Sequence, residues 1–440
     1  MSKTNYFKDI IGYENLKDHL YRIIDMLNNP DKYKALGCDM LNNLLLYGPP
    51  GTGKTSLATS LLKSVNRKSY IIRREGTDKD LYNELDKTFK DAIKNAPSIV
   101  LLDDLDKYTT DKDNQDIYST IQTYIDQMKG KNVFIVATCN DYCSLPTSMR
   151  RKGRFDIKKE VCEPNEEDSK KIIEKYLKSK KIDKDVNIDH VNNMIAGHSC
   201  AELESVCKQA GIYAGYKNQD TIKMEDIINA SLELIFGGNY DPLDELADIS
   251  FDEGEVNISS NEKANLELFT AYHEAGHAII QHYYYPQSIR FMSVSKNYSK
   301  YGIIEYKQNE VEDEYSIKSS LTRVLGGKAA TEVILNKLDV GANSDLHKAY
   351  DISRHLVDNY CDNTFDAWFY NSNETSERTK SIKDEKSCEL VEKHYNEAKR
   401  IISMNVDKVK RLANVLAERK VLFEDEINTI LSGGLLDEKV

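Results

Sequence analysis

Two short segments of the 440-residue sequence carry side chains whose types and spacing could do chemistry, and the first is rich in glycine. It lies between an apolar run and a helical run and consists of Gly48, Pro49, Pro50, Gly51, Thr52, Gly53, Lys54 and Thr55. Glycines at this spacing let backbone N–H groups surround a phosphate at the N-terminus of a helix. Lys54 can reach the β- and γ-phosphates of a nucleotide, and the Thr55 hydroxyl can bind Mg²⁺. The segment therefore predicts an ATP site of the Walker A type.

A second apolar run ends in acidic residues and predicts the metal side of the same site. SIVLL, residues 98–102, is followed by Asp103, Asp104, Leu105 and Asp106. Taken alone, such acids are often a solvated turn. Beside a phosphate-binding loop, an acid at the carboxyl end of a neighbouring strand can hold the water shell of Mg²⁺, and Asp103 fits that role.

The other chemical segment has the pattern His-Glu-x-x-His in a helical run. His273 and His277 are four residues apart, so both imidazoles project from one face of a helix and can bind one ion. Neutral imidazole suits Zn²⁺, and Glu274 would lie beside the ion as a general base and not as a ligand. Two histidines of a packed helix are the alternative. This spacing does not identify a third ligand.

The elements that must position the nucleotide site alternate between helices and short β-rich runs. Strands are expected at residues 41–47, 69–73, 98–103, 132–138 and 155–161. Strands separated by helical runs favour a parallel sheet with helices on both faces. We therefore expect an α/β nucleotide-binding subdomain over 1–164.

The rest of the chain is expected to be mainly helical. Residues 165–236 have helical patterns, and the polar, acidic stretch 237–262 has the composition of a linker. Residues 263–440 are expected to form a mainly α-helical domain that contains the His-Glu-x-x-His segment. A small β-ribbon is expected within it at 290–294 and 302–306.

Composition excludes some classes of partner and location. A net charge of −12 argues against a nucleic-acid partner, which needs a basic surface. No apolar run approaches the roughly 18–20 residues that cross a bilayer, and the N-terminal residues lack the apolar core of a signal peptide. The eight cysteines form no C-x-x-C pair, which is typical of free thiols in a reducing compartment. We expect a cytoplasmic protein without direct membrane insertion.

The order of four segments, GPPGTGKT, LLDDLD, ATCN and RRKGRFD, resembles the AAA+ family and, within it, the FtsH-type proteases. The resemblance implies an AAA+ P-loop domain whose helical lid is 165–236. It implies that Asn140 is the sensor that positions the attacking water. It also implies that Arg151 and Arg154 are arginine fingers that reach the site of a neighbouring subunit, in a ring that is usually a homo-hexamer. From the residues alone, these arginines would be a surface charge cluster.

The likeness extends to the second chemical segment. TAYHEAGHAII, residues 270–280, resembles the FtsH-type zinc peptidase domain almost residue for residue, and GGKAA, residues 326–330, also matches it. GANSDLHKA matches the family segment that carries the third zinc ligand, which implies Asp345; His347 does not match that position. The likeness runs from about residue 7 to about residue 431. The family's N-terminal membrane anchor and extracytoplasmic domain are expected to be absent.

Two departures from the family concern the use of ATP. Asp104 stands where the family usually has Glu as the base that polarises water. Because its side chain is one methylene shorter, we expect slow hydrolysis, since a misplacement of about 1 Å can cost roughly a hundredfold in rate. The family's aromatic pore loop, which grips substrate, corresponds to residues near Thr77, Asp78 and Lys79. These include no aromatic, although Tyr82 is close, so we expect weak threading.

Together these features predict an ATP-dependent zinc metalloendopeptidase that degrades protein or peptide substrates, with ATP, Mg²⁺ and Zn²⁺ as cofactors. Two other functions stay open. A zinc peptidase could use ATP mainly for ring assembly, and it would still cleave loose substrates with a non-hydrolysable ATP analogue. A non-proteolytic AAA+ remodelling protein would show negligible proteolysis even with zinc and ATP.

Overall fold

The computed structural model describes residues 6–37, 43–108, 116–151, 153–236, 260–294, 302–307, 313–339, 341–359 and 377–434. Contacts divide the chain into two compact units, one made of 1–188 and 195–230 and the other of 189–194 and 231–440. The predicted linker, 237–262, lies outside the described residues as far as 259, and residues 260–262 open a helix. The other domain boundaries drawn from the sequence stay a prediction.

The first unit is built on a sheet of five parallel strands. These are β1 (Asn43–Tyr47), β2 (Lys68–Ile72), β3 (Ser98–Leu102), β4 (Val133–Cys139) and β5 (Ile157–Glu160). Their order is β2-β3-β4-β1-β5, and every neighbouring pair is parallel. The predicted α/β fold is thus confirmed. The order places β1, which leads into the glycine-rich loop, and β3, which leads to Asp103, on either side of β4.

Helices cover both faces of this sheet. They are α1 (Glu14–Asn28), α2 (Pro30–Lys34), α3 (Lys54–Ser64), α4 (Asp78–Lys94), α5 (Asp116–Met128) and α6 (Thr147–Arg150). Leu45 packs in a core with α4 and α5, whereas its neighbours Leu44 and Leu46 pack in a core with α1 and α3. Because both faces of the sheet are buried at its centre, β1, β3 and β4 are nearly continuous apolar runs, whereas β2 and β5, at the edges, carry polar, more exposed residues.

Further helices follow the sheet in the region predicted to be helical. They are α7 (Glu166–Leu177), α8 (Ile188–Ile195), α9 (Cys200–Tyr216) and α10 (Met224–Phe236). Asn165 caps α7 by accepting a hydrogen bond from the N–H of Asp168. Ser199 and Glu202 form a capping box at the start of α9. These caps satisfy N–H groups that a helix start leaves without partners.

The second unit is mainly helical, as predicted. Its helices are α11 (Ser260–Tyr284), α12 (Glu314–Val324), α13 (Gly326–Leu335), α14 (Asn343–Asn359), α15 (Glu377–Met404), α16 (Val406–Arg419) and α17 (Glu424–Leu431). Strands β6 (Ile289–Ser293), β7 (Ile303–Tyr306) and β8 (Val421–Phe423) form an antiparallel sheet in the order β7-β6-β8. The first two are the predicted ribbon. Strand β8 was not predicted.

Helix α11 supplies the centre of the core of this unit. Its residues Ala271, Ala275, Ala278 and Ile279 are buried in one apolar cluster with residues of α13, α15 and α16. The small alanines let neighbouring helices approach α11 closely, and the buried apolar area supplies most of the favourable free energy of packing. Among the described helices, none has the length and apolar character needed to cross a bilayer.

Candidate nucleotide and zinc sites

The glycine-rich loop runs from the end of β1 to the start of α3, and two of its glycines allow positions that a side chain would block. Gly48 has φ of 142°, and a Cβ there would lie 2.3 Å from the carbonyl oxygen of Val161. Gly51 has φ of 78°, and a Cβ there would lie 2.6 Å from Oγ of Ser199. The loop can therefore take this shape only with glycine at both positions.

Lys54 is the first residue of α3, and its side chain is buried within the loop. Its Nζ donates hydrogen bonds to the carbonyl oxygens of Gly48 at 2.8 Å and Pro49 at 2.5 Å. Burial lowers the pKa of Lys54, and the carboxylates of Asp104 and Asp106 offset part of that shift. An ammonium group held in this loop lies where it would meet a bound phosphate.

Asp103 lies directly after β3, and its carboxylate connects β3 with three other segments. Oδ1 accepts hydrogen bonds from the hydroxyls of Thr55 at 2.8 Å and Thr138 at 2.7 Å. Oδ2 is 3.0 Å from Nε of Arg73. Hydroxyl and carboxylate oxygens are the hard ligands that Mg²⁺ prefers. The structure thus brings together Thr55 and Asp103, the two residues predicted to serve Mg²⁺.

Asp104 and Asn140, the residues expected to act on the attacking water, are also in contact. Nδ2 of Asn140 donates a hydrogen bond to Oδ1 of Asp104 at 3.3 Å. Nζ of Lys107 lies 2.7 Å from the other oxygen, Oδ2. The backbone of Asp104 is in the left-handed region, with φ of 54°. Both oxygens of this carboxylate therefore have partners within the protein.

The start of α9 and the N-terminal segment also contact the loop. The N–H of Ala201 donates to the carbonyl of Gly51 at 3.1 Å, which places the 198–202 segment against the loop. The Tyr13 hydroxyl donates to the carbonyl of Thr52 at 2.8 Å, and burial raises the pKa of that hydroxyl. Tyr13 was missed in the sequence because it belongs to no motif and reaches the loop across 39 residues.

The predicted arginine fingers lie apart from this cluster. Arg151 is exposed. Arg154 donates from Nη1 to the carbonyl of Ser148 and lies 3.9 Å from the carboxylate of Asp126. Over the part of the chain that the structure describes, neither arginine has a hydrogen bond or ion pair with the nucleotide-site residues.

The segment expected to correspond to the pore loop opens α4. The Thr77 side chain accepts a hydrogen bond from the N–H of Asp80, and Asp78 pairs with Arg74 at 2.7 Å. Tyr82 is partly buried against the core beneath the sheet. The nearest aromatic ring therefore packs against the core.

The two histidines of α11 and an aspartate of α14 form the second cluster. Nε2 of His273 lies 3.0 Å from Nε2 of His277, and Oδ2 of Asp345 lies 3.1 Å from each. In the described ranges this is the one group of His, Cys, Asp or Glu side chains placed to hold a metal ion. Ligands of a tetrahedral zinc ion are roughly 3.3 Å from one another, so the spacing fits. His347 is exposed and takes no part.

The outer nitrogens of both imidazoles have acceptors that orient the rings. Nδ1 of His277 donates to the carbonyl oxygen of Arg323 at 2.8 Å. Nδ1 of His273 lies 2.6 Å from Oδ2 of Asp339, a buried carboxylate. With the protons on Nδ1, the lone pairs of both Nε2 atoms face each other and Asp345. Since two lone pairs and a carboxylate repel unless a cation lies between them, the donor set fits Zn²⁺.

The electrostatics of the cluster point the same way. Burial alone would lower the pKa of His273, but its hydrogen bonds with Asp339 and Asp345 raise it to about 10. Burial would raise the pKa of Asp345, but hydrogen bonds from His273 and His277 hold it well below its usual value. The shift of His273 reflects nearby carboxylates that favour a positive charge at this position, and the shift of Asp345 keeps its carboxylate negative, so the cluster attracts a cation.

Three glycines set the distance between α11 and α13 and leave room for the His273 ring. A Cβ at Gly276 would lie 2.3 Å from the carbonyl oxygen of Gly326, so the two helix backbones are in direct contact. A Cβ at Gly327 would lie 2.4 Å from Cε1 of His273. The two glycines of the GGKAA segment are thus required by close packing, and the imidazole lies on the bare backbone of Gly327.

Glu274 follows His273 on α11 and is also buried, with 8% of its surface exposed. Gly302, just before β7, lies against its carboxylate, because a Cβ there would be 2.3 Å from Oε1. Burial raises the pKa of Glu274, while the two histidines lower it in part. A buried carboxylate of raised basicity beside a metal site can accept a proton from water.

Sequence reasoning named His273, His277, Asp345 and Glu274, which the structure brings together, but missed Asp339, Gly302 and the Arg323 carbonyl. Asp339 touches His273 across 66 residues and belongs to no motif. The carbonyl of Arg323 carries no sequence signal, since every residue has one. Only folding brings these groups to the helix that carries the motif.

Comparisons with known proteins agree with the division of the chain into two chemical sites. The sequence model described as "ATPase family associated with various cellular activities (AAA)" matches residues 44–163, and that of "Peptidase family M41" matches residues 258–430. The chain is 28% identical to the ATP-dependent zinc metalloprotease FtsH of Karelsulcia muelleri, over 97% of this chain and 70% of that protein. It is 29% identical to the ATP-dependent zinc metalloprotease FtsH 2 of a Thermoanaerobacter species, over 97% of this chain and 83% of that protein.

Proposed function

The chain belongs to the FtsH-type ATP-dependent zinc metalloproteases, with an AAA region and an M41 peptidase region, and on that premise we propose which residues carry the two reactions. His273, His277 and Asp345 hold Zn²⁺, and Glu274 is the general base of peptide hydrolysis. The observation that carries this assignment is the convergence of three ligand atoms, with both outer imidazole nitrogens already donating to acceptors.

The residues of the peptidase site divide the work between them. A zinc ion bound there would lower the pKa of water towards 7 and polarise the scissile carbonyl. Glu274 takes the proton of the attacking water and passes it to the leaving amine. Asp339 and the Arg323 carbonyl hold the two imidazoles in the tautomer that presents Nε2 to the metal.

In the AAA region, the loop from Gly48 to Thr55 holds the phosphates of ATP, with Gly48, Pro49, Pro50, Gly51, Thr52, Gly53, Lys54 and Thr55 as its residues. Thr55 and Asp103 serve Mg²⁺. Asp104 polarises the attacking water, and Asn140 orients it. The residues that act on the γ-phosphate thus come from the loop, β3 and β4.

The exposed Arg151 and the half-buried Arg154 act in a neighbouring subunit. A positive charge supplied from another chain would stabilise the transition state of ATP hydrolysis. For every site to receive such a charge, the subunits must form a closed ring. We propose that this ring is a homo-hexamer. The substrates are proteins or peptides. The expected cytoplasmic location stays a prediction that cell fractionation would test.

A second candidate has specific support: a peptidase that uses ATP mainly to assemble its ring. Lys107 and Asn140 engage both oxygens of Asp104, and Tyr82 packs against the core. The contacts of Asp104 leave its carboxylate less available to polarise water, which disfavours fast ATP hydrolysis. The packing of Tyr82 leaves its ring less available to grip substrate. Neither contact hinders the binding of the nucleotide.

Degradation of an unstructured, labelled protein by the full chain separates these functions. The chain is supplied with zinc and with ATP, a non-hydrolysable analogue, or no nucleotide. Coupled proteolysis predicts cleavage only with hydrolysable ATP, and the second candidate predicts cleavage with either nucleotide. No cleavage under any condition would refute the proposed peptidase function.

The variant Glu274→Gln tests the assignment of the base in the same assay. The glutamine keeps the size of the side chain but cannot take a proton, so we expect cleavage to fall by about 10²- to 10⁴-fold. Zinc content should be unchanged, because Glu274 is not a ligand. Normal cleavage by this variant would refute the assignment.

A further inference from the structure

A cavity of about 560 Å³ lies in the second unit between α11, α12 and α14. Its wall includes Gln281 of α11, Tyr285 just after that helix, Arg323 of α12, and Asp351 and His355 of α14. A volume of this size accommodates one amino-acid side chain with its bound water. None of its lining side chains is a zinc ligand or the general base.

Two lining residues place the cavity next to His277, on the side of its outer nitrogen Nδ1. Gln281 follows the ligand His277 by four residues on α11, which is about 6 Å along a helix. The carbonyl oxygen of Arg323 accepts the hydrogen bond from Nδ1 of His277 at 2.8 Å. A substrate side chain next to a scissile bond at the metal could extend over this distance.

The guanidinium group of Arg323 is held at the cavity by neutral partners. Nη1 donates to Oε1 of Gln281 at 3.3 Å, and Nη2 donates to Oγ of Ser320 at 2.9 Å. The guanidinium carbon lies 4.2 Å from the centre of the Tyr306 ring, a cation–π contact. Across the described ranges of the chain, no carboxylate lies within ion-pair distance of Arg323.

These contacts orient a cation without neutralising it. A partly buried positive charge is more stable when an anion pairs with it, and the planar fork of arginine fits a carboxylate with two parallel hydrogen bonds. Asp351 also lines the cavity, but it is exposed, so water and salt screen its charge more than that of Arg323. The interior of the cavity therefore favours a negatively charged group.

We infer that this cavity is a substrate subsite that prefers a glutamate or aspartate side chain close to the scissile bond, with Arg323 pairing with the carboxylate. The inference rests on the proposed peptidase function. It adds a substrate preference that neither the zinc ligands nor the general base would impose. Arg323 is a specificity residue through its side chain, whereas its backbone carbonyl orients His277.

The test uses quenched fluorogenic peptides that share one scissile bond and differ only by glutamate or glutamine at one position at a time on either side of it. The full chain is assayed with zinc and ATP, and kcat/KM is measured for each pair of peptides. At one position we expect the glutamate peptide to be preferred by about tenfold to a hundredfold, the usual effect of a hydrogen bond to a charged group. Arg323→Gln should abolish that preference, and Arg323→Lys should retain part of it.

The matched control is Arg354→Gln, which removes a guanidinium of the same unit that already pairs with Asp358 and Asp384. This variant should keep the wild-type preference. Equal cleavage of all glutamate and glutamine pairs by the wild type would overturn the inference. An equal fall in kcat/KM for the glutamate and glutamine peptides in Arg323→Gln would also overturn it, because a purely structural role changes the rate but not the preference. If the wild type cleaved no peptide, the proposed function itself would fail.

Discussion

Replacing Asp339 should weaken zinc binding, although this residue is not a ligand. Its Oδ2 lies 2.6 Å from Nδ1 of His273, and its side chain is almost fully buried. Oδ1 accepts a hydrogen bond from the N–H of Ala342 at 3.2 Å, and Thr331 donates to Oδ2 at 3.3 Å. The carboxylate thus fixes the tautomer and the orientation of the His273 ring, and it makes Nε2 a stronger donor to the metal.

The expected loss of zinc affinity depends on which hydrogen bonds of Asp339 each substitution removes. Asparagine has one oxygen, so it cannot accept from both His273 and Ala342, and it has no charge. Loss of such a partner lowers metal affinity by about 10- to 100-fold, or about 1.4–2.7 kcal/mol. We expect Asp339→Asn near the lower value. Asp339→Ala leaves a buried N–H without an acceptor, which costs about 1–3 kcal/mol, and we expect it near the upper value.

The measurement is the zinc dissociation constant, obtained by competition with a chromogenic chelator at fixed pH. Asp384→Asn is the control, because Asp384 is an ion-paired aspartate of the same unit with no contact to the zinc ligands. Thermal unfolding without added metal shows whether each variant is folded. A folded Asp339→Ala protein with wild-type zinc affinity would refute the orienting role.

Three further predictions concern the geometry of the two sites. Gly327→Ala should displace the His273 ring and weaken zinc binding, whereas Gly215→Ala, in open space on α9, should leave it unchanged; zinc titration of both variants checks this. Asp104→Glu should raise ATP turnover by up to roughly a hundredfold if the shorter acid misplaces the water, and unchanged turnover in a phosphate-release assay would exclude that limit. Removal of zinc with a chelator should stop peptide cleavage but leave ATP hydrolysis intact, because the ATP-site residues share no side chain with the zinc cluster.

The sequence predicted the residues whose spacing is itself the signal. The spacing of four residues from His273 to His277 brings two rings to one face of a helix, and the apolar run before Asp103 places that acid at the end of a buried strand. Both signals lie within a short stretch of sequence, so they can be recognised without knowing the tertiary structure. Asp345 needed the likeness to a family, because its contact with the histidines spans about 70 residues and no physical periodicity links them.

The features that the sequence did not predict depend on tertiary contact. Strand β8 is three residues long and lies between two helices, too short for any alternation to be visible. Its partner is β6, a strand far away in the sequence, so no local pattern signals the pairing. The same holds for Gly302, whose position against Glu274 follows from the path of the chain into β7.

Gly327 and Asp339 affect the same histidine, His273, in two different ways. Gly327 determines where the His273 ring can lie, since a methyl group there would occupy the space of the ring. Asp339 determines which nitrogen carries the proton and how much negative charge supports it. If position dominates, Gly327→Ala will weaken zinc binding more than Asp339→Asn. If charge dominates, the order will reverse, and raising the pH, which removes protons that compete with the metal, will not restore the affinity of the Asp339 variant.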